Sequence, residues 1–167
     1  MEIIEIKGNL LDSKSQIIVH QTNTQCSMGA GVAKMIKEKW PFVYNQYALL
    51  CKAHSYAPES LLGNIQLLNI NEGQKIVNLF AQNTLLPNKC NTDYDAFKKG
   101  IHNLVCYCKS NNIESVAFPY KIGCGLGGGD WDKINKIIQE GFKDTDTTIE
   151  YWIYTPVRDK ILFIKRW

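Results

Sequence analysis

Arginine is nearly missing from this chain: Arg158 and Arg166 are the only two among 167 residues. Any anion the protein recognises must therefore be held by main-chain amides, lysines or neutral polar side chains rather than by guanidinium forks. Histidine is as sparse, and His20, His54 and His102 are scattered. The six cysteines (Cys26, Cys51, Cys90, Cys106, Cys108 and Cys124) form no C-x-x-C pair, and Cys106 and Cys108, two apart on an expected helix, point to different faces. These spacings weigh against a zinc site, so no metal is expected. The first residues, Met1 to Lys7, alternate and carry acidic groups where a secretory leader would be basic and then apolar. Thiols buried in apolar segments of such a chain point to a reduced, cytoplasmic protein. No apolar run approaches membrane-spanning length. There is no internal repeat, no low-complexity tract and no Gly-Lys-Ser/Thr phosphate loop. Charged residues make up 21% and the net charge is +3, which gives nucleic acid a weak case as an obligatory partner. The pI near 8.5 leaves room for an anionic ligand. A hydrophobic content of 45% over this length fits one domain rather than two.

Glycine, by contrast, is concentrated. The stretch Ile122-Gly123-Cys124-Gly125-Leu126-Gly127-Gly128-Gly129-Asp130-Trp131 follows an apolar, strand-like run, Val116 to Tyr120. It leads into a segment where Trp131, Ile134, Ile137, Ile138 and Phe142 recur at helical spacing. Five glycines at such a joint let several N–H groups converge, and the first turn of the next helix adds partial positive charge. The natural guest is a phosphate or pyrophosphate. Asp130 is well placed to cap that helix.

Elsewhere the pattern predicts strands at 2–7, 16–22, 64–70, 75–82 and 148–154, and helices at 32–39, from Pro41 through Leu50, and at about 93–110. Between the second strand and the first helix lies another glycine segment, Met28-Gly29-Ala30-Gly31. Strands alternating with helices imply an α/β sheet covered on both faces, with ligands at the carboxyl ends of strands, where both glycine segments fall. The tail from Val157 to Trp167 contains Ile161-Leu162-Phe163-Ile164, a possible edge strand or interface element.

Three segments carry a resemblance. Gly8-Asn9-Leu10-Leu11, then Ile18-Val19-His20-Gln21-Thr22-Asn23 leading to Met28-Gly29-Ala30-Gly31-Val32-Ala33, and finally Pro119 to Trp131 together resemble the macrodomain, the ADP-ribose-binding module. The resemblance runs over 1–156 and leaves 157–167 as a C-terminal extension. It implies a three-layer α/β/α fold with a central mixed, mostly parallel sheet. The branch it resembles holds terminal ADP-ribose glycohydrolases and the yeast-type ADP-ribose 1″-phosphate phosphatase. Carried over by position, it implies that Asn9 and Leu10 stand at the adenine, Tyr154 stacks on it, and Asn23 lies near the distal ribose. Gly29, Ala30, Gly31 and Val32 form one phosphate loop, and Gly123, Cys124, Gly125, Leu126 and Gly127 the other.

The chain departs from that branch at two points. Where its glycohydrolases have a lysine that attacks the sugar and an assisting aspartate, this sequence has Gln82 and Gly127. An amide cannot form the adduct an amine can, which leaves water-mediated chemistry as the expectation, with Lys75 or Lys89 as the alternative candidates for the attacking lysine. The expected function is hydrolysis of ADP-ribose 1″-phosphate or of an ADP-ribosyl ester, with His20 or Asp130 moving a proton. The alternative is a reader that binds ADP-ribose without chemistry. Cys124, near a helix start, is a weaker nucleophile candidate. A nicotinamide-dinucleotide enzyme is disfavoured because neither glycine segment has the dinucleotide fingerprint. The expected partner is ADP-ribose or a derivative, free or carried on a protein or nucleic-acid end, on a monomeric protein that needs no cofactor and no membrane.

Overall fold

The computed structural model describes residues 1–156; the possible edge strand in 157–167 lies outside the described residues. Ten elements follow in order: β1 (Glu2–Lys7), β2 (Ile17–Asn23), α1 (Gly31–Lys39), α2 (Pro41–Ala53), β3 (Ile65–Asn71), β4 (Gln74–Gln82), α3 (Tyr94–Ser110), β5 (Ser115–Pro119), α4 (Trp131–Phe142) and β6 (Thr148–Ile153). These match the expected elements to within a few residues at each end. Two short 3-10 turns, Leu10–Asp12 and Pro58–Leu61, were not marked by any periodicity.

The strands form one sheet in the order β1-β6-β5-β2-β4-β3. Every neighbouring pair is parallel except the β3–β4 hairpin. Central strands buried on both faces need continuous apolar runs, and Ile17-Ile18-Val19 in β2 and the Ile76 to Ala81 stretch of β4 supply them. One face packs Ile17, Val19, Leu79, Phe118 and Tyr151 against Phe97, Ile101 and Leu104 of α3 and Ile134, Ile138 and Phe142 of α4. The other packs Ile18, Ile76 and Ala117 against Ile36 of α1 and Val43 of α2. The result is the expected three layers.

Helix boundaries follow local chemistry. Trp40 ends α1, its N–H reaching Ile36 O, and Pro41 opens α2 at a position where its missing donor costs nothing. Asp93 caps α3 by accepting from Ala96 N at 2.9 Å. The parallel strands β1, β6, β5, β2 and β4 all end on one side of the molecule. The loops leaving these ends build the candidate site.

Candidate functional site

Two glycine loops leave the carboxyl ends of β2 and β5, neighbours in the sheet, and face each other across a cavity of about 540 Å³. Its wall includes His20, Gln21, Asn23 and Ser27, then Gly29 to Ala33 of the first loop, Gln82 and Leu85, and Pro119 to Gly127 of the second. Two other clefts, of about 460 and 440 Å³, contain no glycine.

The main chain of both loops is arranged to donate. In α1 the first main-chain bond runs from Lys34 N to Ala30 O (3.1 Å), and Ala30 has no side-chain oxygen with which to cap. The amides of Gly31, Val32 and Ala33 are thus left over, as at any helix start. Gly31 enters the helix at φ +57°, a conformation costly for a residue with a Cβ. In the second loop the carbonyls are tied back to the protein. Gly123 O accepts from Gly129 N (2.9 Å) and Thr92 Oγ1 (2.8 Å), Gly125 O from Gly128 N (3.0 Å), and Gly127 O from Asn91 N (2.7 Å) and Thr92 N (3.0 Å). The amides of Gly125, Leu126 and Gly127, in contrast, make no hydrogen bond among the described residues. Among the described residues the wall contains no carboxylate and one cation, Lys121. Donors without acceptors, on a wall whose described residues include no carboxylate, make an anion site.

Three side chains from distant segments hold the second loop. Gln21 Nε2 donates to Thr92 Oγ1 (2.9 Å) and to Gln82 Oε1 (3.3 Å), and Gln82 Nε2 donates to Thr84 O (3.1 Å). This network fills the place where an acid at position 127 would have to stand. A Cβ on Gly127 would come within 2.5 Å of Gly123 O, 2.6 Å of Thr92 Oγ1 and 3.0 Å of Gln21 Nε2.

His20 is 1% exposed. Burial pulls its pKa from 6.5 down to about 4, only partly opposed by the hydrogen bond to Asn78, so the ring is neutral at neutral pH. Asn23 lines the cavity, yet its amide is engaged in folding the loop. Its Oδ1 accepts from Gln25 N (3.0 Å) and Ser27 N (3.2 Å), while Nδ2 donates to Ser27 O (2.8 Å). Burial pushes the Cys124 thiol upward, with Asp130 and Cys90 adding to the effect against the pull of Lys121. The expectation of a thiolate favoured by the helix start is thereby corrected: desolvation outweighs it.

Four of the residues chosen from sequence stand outside this wall. Asp130 is exposed and caps α4, accepting from Asp132 N (2.9 Å) and Lys133 N (3.4 Å); its carboxylate is engaged in capping and it does not border the cavity. Leu10 is buried in the core beside Leu11. Asn9 Oδ1 accepts from Leu11 N (3.0 Å), capping the first 3-10 turn. Tyr154, 59% exposed, follows β6. Gly8 N donates to Ile153 O (2.9 Å), so Asn9 and Tyr154 follow adjacent strand ends. Sequence reasoning missed Gln21, Ser27, Thr92 and Lys121. Only Gln21 had a usable signal, a polar residue ending an apolar strand directly ahead of a glycine loop. Among the described residues no three His, Cys, Asp or Glu side chains gather as metal ligands, and no helix is long and apolar enough to cross a membrane.

The profile of the family described as Macro domain matches residues 19–138. The chain is similar to the DNA ADP-ribosyl glycohydrolase of Thermus aquaticus, 27% identical over 154 residues that cover 92% of this chain and 41% of that protein. It thus spans about two fifths of that relative's length. It is equally similar to the ADP-ribose glycohydrolase OARD1 of Bos taurus, 27% identical over 92% of this chain and 91% of that one. A shorter stretch of 66 residues is 41% identical to the ADP-ribose 1″-phosphate phosphatase of Meyerozyma guilliermondii, covering 38% of each. Among solved structures, the macrodomain of Thermus aquaticus DarG superimposes with a TM-score of 0.70 at 25% identity, over 92% of this chain and 98% of that one.

Proposed function

This chain belongs to the Macro domain family, and from that premise we propose that it binds ADP-ribose with the diphosphate between the two glycine loops and hydrolyses a phosphate or acyl ester at the terminal ribose. The observation that carries this reading is the second loop, whose carbonyls are bonded inward while its amides at Gly125, Leu126 and Gly127 have no acceptor among the described residues. Such amides hold the charge of a diphosphate and stabilise the charge that builds up when water attacks a neighbouring phosphorus or acyl carbon. The substrates are ADP-ribose 1″-phosphate or an ADP-ribosyl ester. Water forms the new bond, the bond from phosphorus or carbonyl carbon to the ribose oxygen breaks, and that oxygen leaves with a proton. His20, neutral and on the cavity wall, accepts the proton of the attacking water and returns it to the departing ribose oxygen. Gln82 and Gly127 support a route without a covalent lysine intermediate. Asn9 and Tyr154 follow the adjacent carboxyl ends of β1 and β6, and this reading assigns the adenine to them.

A second reading, an ADP-ribose reader, is favoured by the absence of any carboxylate among the described residues of the cavity wall. One experiment separates the two. Phosphate release from ADP-ribose 1″-phosphate and ester cleavage are measured for wild type and His20→Ala, beside calorimetry with ADP-ribose and NAD. Hydrolysis is expected in wild type and falls by at least about 10²-fold in His20→Ala, with ADP-ribose bound more tightly than NAD. Tight binding without turnover of either substrate would select the reader; NAD binding more tightly would overturn the site reading itself.

A further inference from the structure

His20 belongs to a row of polar side chains that crosses three strands. It is the register partner of Asn78 on β4, and Asn78 is the register partner of Gln66 on β3. Their side chains are joined in sequence. His20 Nε2 meets Asn78 Oδ1 at 2.5 Å, Asn78 Nδ2 donates to Gln66 Oε1 at 2.9 Å, and Gln66 Nε2 donates to the main-chain carbonyl of Gln46, on α2, at 3.1 Å.

The far end of this row fixes every polarity in it. A main-chain carbonyl only accepts, so the nitrogen of Gln66 must face Gln46 and its oxygen must face Asn78. That oxygen also only accepts, so Asn78 presents its nitrogen to Gln66 and its oxygen to His20. The proton between Asn78 and His20 therefore sits on Nε2. Nδ1 is left bare, and it is buried without a partner among the described residues, in a ring that lines the cavity. Asn78 is completely buried, so water does not compete for its amide.

We infer that Asn78 and Gln66 are positioning residues that lock His20 in the Nε2–H tautomer and reserve Nδ1 as an acceptor for an O–H group in the cavity, either water or a ribose hydroxyl. The identity of that O–H group rests on the function proposed above; the tautomer does not. A ring locked in this way can accept a proton only at Nδ1, and the resulting imidazolium already has its other N–H bonded to Asn78. An anionic oxygen would find no donor there, so the diphosphate is directed to the loop amides and a hydroxyl to the histidine.

The test is a two-bond ¹H–¹⁵N spectrum of histidine-labelled, ligand-free protein near neutral pH, with the His20 signals assigned by their loss in His20→Gln. Wild type is expected to show the Nε2–H pattern. Asn78→Leu is expected to mix the tautomers, and Gln66→Leu to weaken the preference by freeing the Asn78 amide to turn over. An Nδ1–H or doubly protonated His20 in wild type would overturn the inference, as would an unchanged tautomer in Asn78→Leu. If Asn78→Leu does not fold, the wild-type and Gln66→Leu spectra decide. The spectra contain no ligand, so failure to bind or turn over ADP-ribose leaves the result standing and counts only against the proposed function.

Discussion

One methyl group at position 127 tests how the second loop is held. In Gly127→Ala the new Cβ would stand 2.5 Å from Gly123 O, 2.6 Å from Thr92 Oγ1 and 3.0 Å from Gln21 Nε2. Two of these three belong to a bonded network, and the third is main chain, so the loop itself must move. Overpacking of this kind costs about 1–3 kcal/mol. Moving the loop also strains the bonds that Gly127 O receives from Asn91 N and Thr92 N, at about 1 kcal/mol each when lost. A total near 3 kcal/mol corresponds to a fall in Tm of about 6–12 °C for a domain of this size. The free amides shift with the loop, and ADP-ribose affinity should fall at least about tenfold, or 1.4 kcal/mol. The control lies two residues away: a Cβ on Gly125 would meet nothing within 4 Å, so Gly125→Ala should keep its Tm within about 2 °C. Differential scanning fluorimetry of both variants, with calorimetry for the ligand, is the assay. Equal Tm shifts in the two variants, or an unshifted Gly127→Ala, would refute the claim that Gln21, Thr92 and the Gly123 carbonyl enclose position 127.

Asp130→Ala removes a cap and should lower the unfolding free energy by about 1 kcal/mol in urea titrations, while calorimetry finds ADP-ribose affinity unchanged; a tenfold loss of affinity would return Asp130 to the site. Because burial lowers the His20 pKa from 6.5 to about 4, the unfolded chain takes up a proton in that window that the folded chain refuses. Stability is thus fully present above about pH 6.5 and lost as pH falls towards 4, by about 3 kcal/mol. Urea midpoints at the two ends of that window should fall less in His20→Gln than in wild type, and an identical fall would show that His20 does not titrate as described. Cys124→Ser should retain turnover within about twofold in the phosphate-release assay, since a thiol pushed upward by burial supplies no thiolate at neutral pH; loss of turnover would restore Cys124 as a nucleophile.

Much of the architecture was legible because it repeats. Alternation marked β1 and β6, the apolar runs marked β2 and β4, and Pro41 and Asp93 marked helix starts, each by a local rule that needs no tertiary partner. The glycine loops were legible for the same reason, since backbone freedom is written in composition. Roles that depend on a partner were not. Asp130 has the same residue type whether it caps a helix or moves a proton, and only the positions of Asp132 N and Lys133 N decide. Tyr47 is buried on α2, and its hydroxyl donates to Asn23 O at 2.6 Å and holds the first loop, a role its residue type does not disclose. Asn78 left a trace, a lone amide in the apolar run Ile76 to Ala81, as His20 did after Ile17-Ile18-Val19. That these two residues are opposite each other depends on strand register, which sequence pattern alone does not give.

Gln82 and Gly127 look in the sequence like two independent substitutions of a lysine and an acid. In the structure they are coupled through Gln21, which bonds Gln82 directly, and through Thr92, which accepts from Gln21 and donates to the Gly123 carbonyl that a side chain at 127 would strike. A lysine at 82 would take away the oxygen that accepts from Gln21, and an acid at 127 would displace both Gln21 and Thr92. The two positions are therefore coupled through one bonded network. This chain has settled on the arrangement in which an uncharged amide and hydroxyl network braces the loop from behind. Its front, free of carboxylates among the described residues, offers unpaired amides to a phosphate, and the proton transfer proposed above falls to the one imidazole among the described residues of the wall, His20, which is held from the opposite direction by Asn78.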